Sequence, residues 1–464
     1  MLNLKEDLKI IETLKKICNQ SVDFLSYTEN FQCINIYELI NSPHYLNKYQ
    51  FFIENNKSDI TILGLGCASE IKFSNLSDIK DVQSKIHEIL NNIININDNE
   101  YASPKFLGGH AFNMNANLNS DWNKFPKGKF ILPECIITSY KDQAWITIIK
   151  KIGEDRNPNV IYTEMLKIYN SLNQNHKSQS SASINILNIK DSIEKNDYLN
   201  IVDEIIDEIK SNDIDKIVFA RSKYIEFENS LSLKNTMKSL QGSYPDCINF
   251  FIKLSESDIF FGSTPERLIF KNDNYINTQA IAGTMRRGIN FDEDNKIEAQ
   301  LKTDEKNIKE HEYVISGIKN ILSAKLNTIK VSKEPEILKL KQLQHLVSNI
   351  SGYLKTDIHI LELVNILHPT PAIAGTPTDK ALELINRYEK NSRGWYSGPL
   401  GWIDKNGDGD FCVALRSGYM SNNYMQLFSG GGIVTNSNSE DEWEETELKF
   451  RTILDLFNKD SIHA

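Results

Sequence analysis

The sequence predicts an α+β fold, and three observations carry that expectation. One amphipathic helical pattern opens the chain and strand-like runs follow it. Strands and helices then fail to alternate regularly, and the longest helical patterns come late in the chain. Regular alternation would instead announce a doubly wound parallel sheet.

Each element has its own local reason. The opening MLNLKEDLKIIETLKK spaces apolar residues as a helix does, and its acids leave no apolar run near the roughly 20 residues a membrane span needs. The runs FFIENN, DITILGLG, KFLGGHAFN, KFILPECIITSY and QAWITIIKKI cluster β-branched and aromatic residues between Gly, Asn and Pro, which predicts strands. The polar stretch 173–183, NQNHKSQSSAS, reads as an exposed connection. It divides a β-rich half, residues 1–190, from a second half, 191–464. The second half is expected to hold a helix at 196–210, a strand at 216–227 and strands in CINFFIKL and IFFGSTPERLIF. Long helices at about 295–326 and 361–388, a hairpin-rich stretch and a terminal helix complete it.

At about 150 residues per domain, 464 residues suggest roughly three domains, though one large α+β unit also accommodates them. A content of 40% hydrophobic and 25% charged residues is that of a chain able to bury a core. The net charge of −10, with Lys and Arg scattered, offers no basic stripe to nucleic acid or an anionic membrane. The six cysteines, Cys18, Cys33, Cys67, Cys135, Cys247 and Cys412, form no CxxC pair and are expected reduced and buried. A cytoplasmic protein without nucleic-acid or membrane partners is the expectation.

Two tempting motifs fail on chemistry. Asp404-Lys-Asn-Gly-Asp-Gly409 begins like a calcium loop, but its twelfth position is Leu415, where a bidentate Glu is needed, so it reads as a β-turn. Gly64-Leu-Gly66 follows a strand but lacks the third glycine of a dinucleotide loop, so it reads as a tight turn.

The second half carries dense strings in a fixed order: KIVFARS (216–222), FFGSTPERL (260–268), TQAIAGTMRRG (278–288), DEKNIKEHEYVI (304–315), LQHLVSNISG (343–352), LHPTPAIAGTP (367–377), RGWYSGPLGW (393–402), GDGDFCVALRS (407–417) and FSGGGIVTNSNSEDEWEETELK (428–449). They resemble the chorismate-binding domain shared by isochorismate, salicylate, anthranilate and aminodeoxychorismate synthases. The resemblance covers about the last 260 residues and matches the first half only loosely, through LGGHAFN. It implies the anthranilate synthase-like fold, a large β-sheet core with surrounding helices, in which the N-terminal half is intertwined.

The resemblance also implies a magnesium ion on Glu310 and Glu445, with Glu442 in support. Mg²⁺ prefers hard oxygens from one or two carboxylates, with substrate and water completing its shell. A competing reading makes Glu442 the last residue of a Ser439-x-x-Glu442 capping box. Moving the hydroxyl of chorismate from ring carbon 4 to carbon 2 needs a base on one side of the ring and an acid on the other. The resemblance assigns these to Lys216 and Glu266, against the alternatives of an edge lysine and structural ion pairs. As an acid Glu266 must be protonated, which an apolar pocket favours.

Two substrate carboxylates call for cationic forks and free backbone N–H groups. The resemblance points to Tyr396, Arg416 and the run Gly430-Gly431-Gly432, with Ala282, Gly283, Thr284, His345 and Thr370 lining the ring pocket. Aminodeoxychorismate synthases carry Lys where this chain has Ala282, and anthranilate synthases carry Gln where it has Lys216. The chain also lacks the LLES-type string with which anthranilate synthases bind tryptophan. Chorismate is thus the expected small-molecule substrate, with no glutaminase subunit, in a monomer or homodimer. Isochorismate formation is the expected activity. Salicylate formation, by later pyruvate elimination in the same site, and a catalytically silent chorismate-binding protein are the competing ones. Ala280 in TQAIAGT, where many relatives have Pro, resembles the menaquinone-pathway form.

Overall fold

A computed structural model of the chain describes residues 4–17, 22–32, 35–116, 118, 122–153, 156–173, 185–211, 213–228 and 231–457. The connection expected at 173–183 lies, after Asn173, outside the described residues, as do Cys18 and Cys33. Two sheets, of 13 and 10 strands, carry the described residues. Each mixes strands from both halves of the chain: Gln50–Asn55 pairs with Ile248–Lys253 in the larger, and Phe106–His110 with Pro399–Ile403 in the smaller.

Side-chain alternation along each strand explains the layering. In Gln50–Asn55, Phe51 and Ile53 join a core shared with Phe106, Phe130 and Phe411 of the smaller sheet. Phe52 points the other way and stacks on Phe251 at 5.4 Å. That outer face is covered by the helices Leu4–Ile17, Pro158–Asn173 and Leu233–Ser243, which supply Leu14, Met165 and Met237. Each fully buried Phe or Leu contributes about 1.5–3 kcal/mol.

The helices depart from the sequence expectation in several places. The pattern at 295–326 is two helices, Phe291–Leu301 and Glu305–Ser323, because Asp304 caps the second by accepting from the Asn307 N–H at 2.9 Å. The pattern at 361–388 is also two, Ile360–Leu367 and Thr378–Tyr388, since Pro369, Pro371 and Pro377 lack the N–H a continuous helix needs. Helices also form at Ile79–Asn91 and Pro158–Asn173 in the strand-rich first half. In the former, Ile79, Val82, Ile86 and Leu90 recur at helical spacing. Cys135, Cys247 and Cys412 are buried thiols as expected, whereas Cys67 is exposed. Asp404–Gly409 is a hairpin connection, with the Asp404 carboxylate accepting from the N–H groups of Asn406 and Asp408. No helix among the described residues is long and apolar enough to cross a membrane.

Two chain crossings position the site. Asp258–Thr264 belongs to the larger sheet and Arg267–Asn272 to the smaller, so Pro265 and Glu266 lie where the chain changes sheet. Gly409–Val413 and Ser417–Ser421 make the return crossing, at Ala414, Leu415 and Arg416. Arg416 holds a left-handed φ of +47°, a strain of about 1–3 kcal/mol that the surrounding fold sustains.

Candidate active site

A cleft of about 690 Å³ opens at these crossings. Its lining includes Glu266, Ala282, Glu310, His345, Tyr396 and Arg416. The strand Lys216–Phe227 pairs antiparallel with Tyr424–Val434, Val218 opposite Gly432 and Ala220 opposite Gly430. Alternation turns Val218 toward the cleft and Arg221 away, onto the Trp443 ring at 3.6 Å. Lys216, at the start of this strand, is 1% exposed, so it is no edge lysine.

Its ammonium meets Glu310 Oε1 at 2.9 Å. The other Glu310 oxygen accepts from the Gly283 N–H at 3.2 Å. Gly283 can offer that group because it occupies a bulge with φ +76°, a backbone that favours glycine. Burial pushes the Glu310 carboxyl up, but Lys216 and two further lysines outweigh it and hold the group below the usual carboxylate range. Glu266 is different. It is 3% exposed with no ion pair within reach, and burial lifts its pKa to about 8 despite the charges of Lys216 and Lys449. The buried Thr370 hydroxyl approaches this carboxyl and has no closer hydrogen-bond partner.

His345, also in the lining, lies between two partners. Its Nε2 stands 3.1 Å from Arg416 Nη2, and its Nδ1 stands 3.0 Å from Thr284 Oγ1. Since guanidinium only donates, Nε2 must accept, which places the ring proton on Nδ1. Burial and then the Arg416 charge keep His345 far below its usual pKa, hence neutral. Tyr396 stacks on Phe428 at 5.1 Å, and burial raises its hydroxyl to about 12, leaving it a donor.

The glycine run presses against the acids. A Cβ at position 432 would lie 2.3 Å from Glu310 Oε1 and 2.8 Å from Lys216 Cε. One at 431 would lie 2.8 Å from Glu442 Oε2. Glu442 does not close a capping box: Asn438 caps its helix, Ser439–Leu454, while Glu442 Oε1 accepts from Ser437 Oγ at 2.7 Å and Lys306 at 2.8 Å. Its Oε2 is buried without a hydrogen-bond partner. Burial and the neighbouring Glu445 raise the Glu442 carboxyl, with Lys306 opposing. Burial in turn disfavours the Lys306 ammonium, but Glu442, Glu445 and Glu310 together hold it charged.

Among the sequence-predicted residues, Glu266, Ala282, Thr284, His345, Tyr396, Arg416, Gly430, Gly432, Glu310 and Glu445 line the cleft itself. Lys216, Gly283, Thr370, Gly431 and Glu442 stand directly behind that lining, each beside one of its residues or, for Gly431, beside Glu442. Among the described residues no three His, Cys, Asp or Glu side chains converge as a metal cage. A pair of cleft carboxylates and an orphaned anionic oxygen fit Mg²⁺, which takes one or two carboxylates and fills its shell with water and ligand oxygens.

A family model described as chorismate binding enzyme matches residues 10–458. The chain belongs to the chorismate-binding enzymes. Isochorismate synthase MenF of Bacillus subtilis is 29% identical over 462 residues, covering 97% of this chain and 96% of that protein. Anthranilate synthase component 1 of Saccharolobus solfataricus is 32% identical over 266 residues, 57% of this chain and 62% of that one. The solved structure of MenF, the menaquinone-specific isochorismate synthase from Escherichia coli, matches with a TM-score of 0.80 at 22% identity, over 97% of this chain and 99% of that one. The α+β fold is the fold of that structure. In this chorismate-binding enzyme the motif reading passed over Lys449, which lines the cleft and bonds Glu445 at 2.6 Å and the Gly430 carbonyl at 2.7 Å. Its signal was the i,i+4 spacing of Glu445 and Lys449 on one helix face. Lys306 was passed over too, two residues after the Asp304 cap.

Proposed function

We propose that the protein is an isochorismate synthase that interconverts chorismate and isochorismate. The observation that carries this is a carboxylic acid kept protonated in the cleft, Glu266, with a buried lysine, Lys216, directly behind the lining on Glu310. Full-length similarity to an isochorismate synthase supports the same choice. Ala282 does too, since it brings no amine to the ring.

In this reading Lys216 takes a proton from the water that adds at ring carbon 2, and Glu266 gives its proton to the hydroxyl leaving carbon 4. To act as base, Lys216 must enter the step as the free amine, its ammonium proton having passed to water, and its bond to Glu310 opens in the reacting complex. Arg416, oriented by His345, and the Tyr396 hydroxyl hold one substrate carboxylate, with the backbone of Gly430 to Gly432 at its side. Glu310 and Glu445 would hold Mg²⁺, with Glu442 behind them. When bound, the ion supplies positive charge that neutralises and orients the second carboxylate.

The test is product identity. Chorismate and Mg²⁺ should give an equilibrium mixture with isochorismate, reached from either side, and EDTA should stop it reversibly. Salicylate and pyruvate appearing in equal amounts at the rate of chorismate loss would assign salicylate synthase instead. Full activity in EDTA would remove the metal.

A further inference from the structure

Three glutamate–lysine pairs lie at the cleft lining and directly behind it. Lys216 pairs with Glu310, Lys306 with Glu442 and Lys449 with Glu445. The cluster is therefore neutral with no metal present. A divalent cation alone would leave it at +2, and a dicarboxylate alone at −2; only both together restore neutrality. In a buried site such an imbalance costs far more than in water.

Lys306 and Lys449 have no part in the chemistry proposed above, and of the two Lys306 pairs with the more deeply buried carboxylate. Glu442, its partner, is 1% exposed, and Ser437 fixes the same oxygen from the other side. The second oxygen, beside Gly431, has no hydrogen-bond partner. The ammonium thus fills the role of a counter-cation from inside the fold, on a carboxylate that burial would otherwise leave uncompensated.

We propose that Lys306 is a built-in counter-cation for Glu442 that holds back divalent-cation binding until the dicarboxylate substrate is in the cleft. This rests on the metal reading given above. It makes metal and substrate reciprocal partners: each raises the affinity of the other by the same factor.

Mn²⁺ binding to the full chain at pH 8, counted from the free-ion electron paramagnetic resonance signal with and without chorismate, tests this. Wild-type protein should bind Mn²⁺ about tenfold or more tightly once chorismate is present. Lys306→Gln should bind Mn²⁺ alone about ten- to a hundredfold more tightly than wild type, because a unit charge a few ångströms from the ion is gone, and chorismate should then add little. Lys306→Arg, which keeps the charge, should retain weak metal-only binding. A folded Lys306→Gln protein whose metal-only affinity equals or falls below that of wild type overturns the inference. The wild-type chain gives a readout that needs no variant: acetylation of Lys306, followed by mass spectrometry, should quicken when Mn²⁺ and chorismate release the amine, and an unchanged rate overturns the inference. Wild-type protein that binds no Mn²⁺ even with chorismate removes the metal reading, and the inference with it.

Discussion

Glu266 holds its proton because burial outweighs the charges of Lys216 and Lys449, and that gives the reaction a pH limb. The acid form persists until about pH 8, so kcat/KM should fall as pH rises through that value. Between the ordinary carboxyl value of 4.5 and about 8 the folded chain binds the proton more readily than the unfolded one, so this group also lowers stability as pH climbs. Glu266→Gln and Lys216→Ala should each lower kcat by about 10²- to 10⁴-fold in proteins that fold normally. Wild-type turnover in either would remove the acid–base assignment. Gly432 offers a second test at this scale. Its φ lies outside the left-handed region, so Ala fits the backbone there, but the new Cβ would displace the Glu310 carboxyl and the Lys216 stem. Gly432→Ala should melt like wild type and lose about 10²-fold in activity; unchanged kinetics would show that the contact is dispensable. Chemistry-bearing residues were legible because their types are scarce in such strings: Glu after STP, three successive glycines, Arg in ALRS. Lys306 and Lys449 were not, since lysine is common in this chain and a helix surface accounts for it.

Helices and turns were legible where a local signal decided them. The strand from Lys216 ends at Phe227 as its alternation required, and the Asp404 turn follows from Asp and Gly. Long helical patterns misled because apolar spacing continues across breaks that a single side chain or proline makes. Asp304 is the instructive case. Its carboxylate accepts from both the backbone and side-chain amides of Asn307, and Asn307 Oδ1 in turn accepts from the Thr284 N–H at 2.8 Å, beside the Gly283 bulge. The cap thus ties the helix of Glu310 to the strand of Thr284. Asp304→Ala should cost about 1 kcal/mol, which in a chain of this length lowers the melting midpoint by about 1 °C. Calorimetry on the pair of proteins decides it, and an unchanged midpoint would mean that the cap is replaced by water.

At the scale of the molecule the α+β class was readable and the strand order was not. Pairing of Gln50–Asn55 with Ile248–Lys253 joins segments that no local pattern connects, and both edges of such a strand read alike. Period-2 alternation reveals that a strand has two faces, not which neighbours it takes. The interleaving has a measurable result. Residues 1–190 and 191–464 expressed apart would each expose strands whose partners lie in the other piece, so both should aggregate, and mixing them during refolding should recover soluble protein. A monodisperse, stable 191–464 fragment in size-exclusion chromatography would contradict it.

The position of Tyr424–Val434 also bears on how the enzyme is made. That strand fits between Lys216–Phe227 and Ser417–Ser421, yet it is the last strand to leave the ribosome. At about 5–20 residues per second, the segment ending at Phe227 waits roughly 10–40 s for it. The late arrival brings Gly430, Gly431 and Gly432, so no shorter nascent chain has a finished site. Turnover of chorismate begins only with chains whose synthesis has passed the glycines.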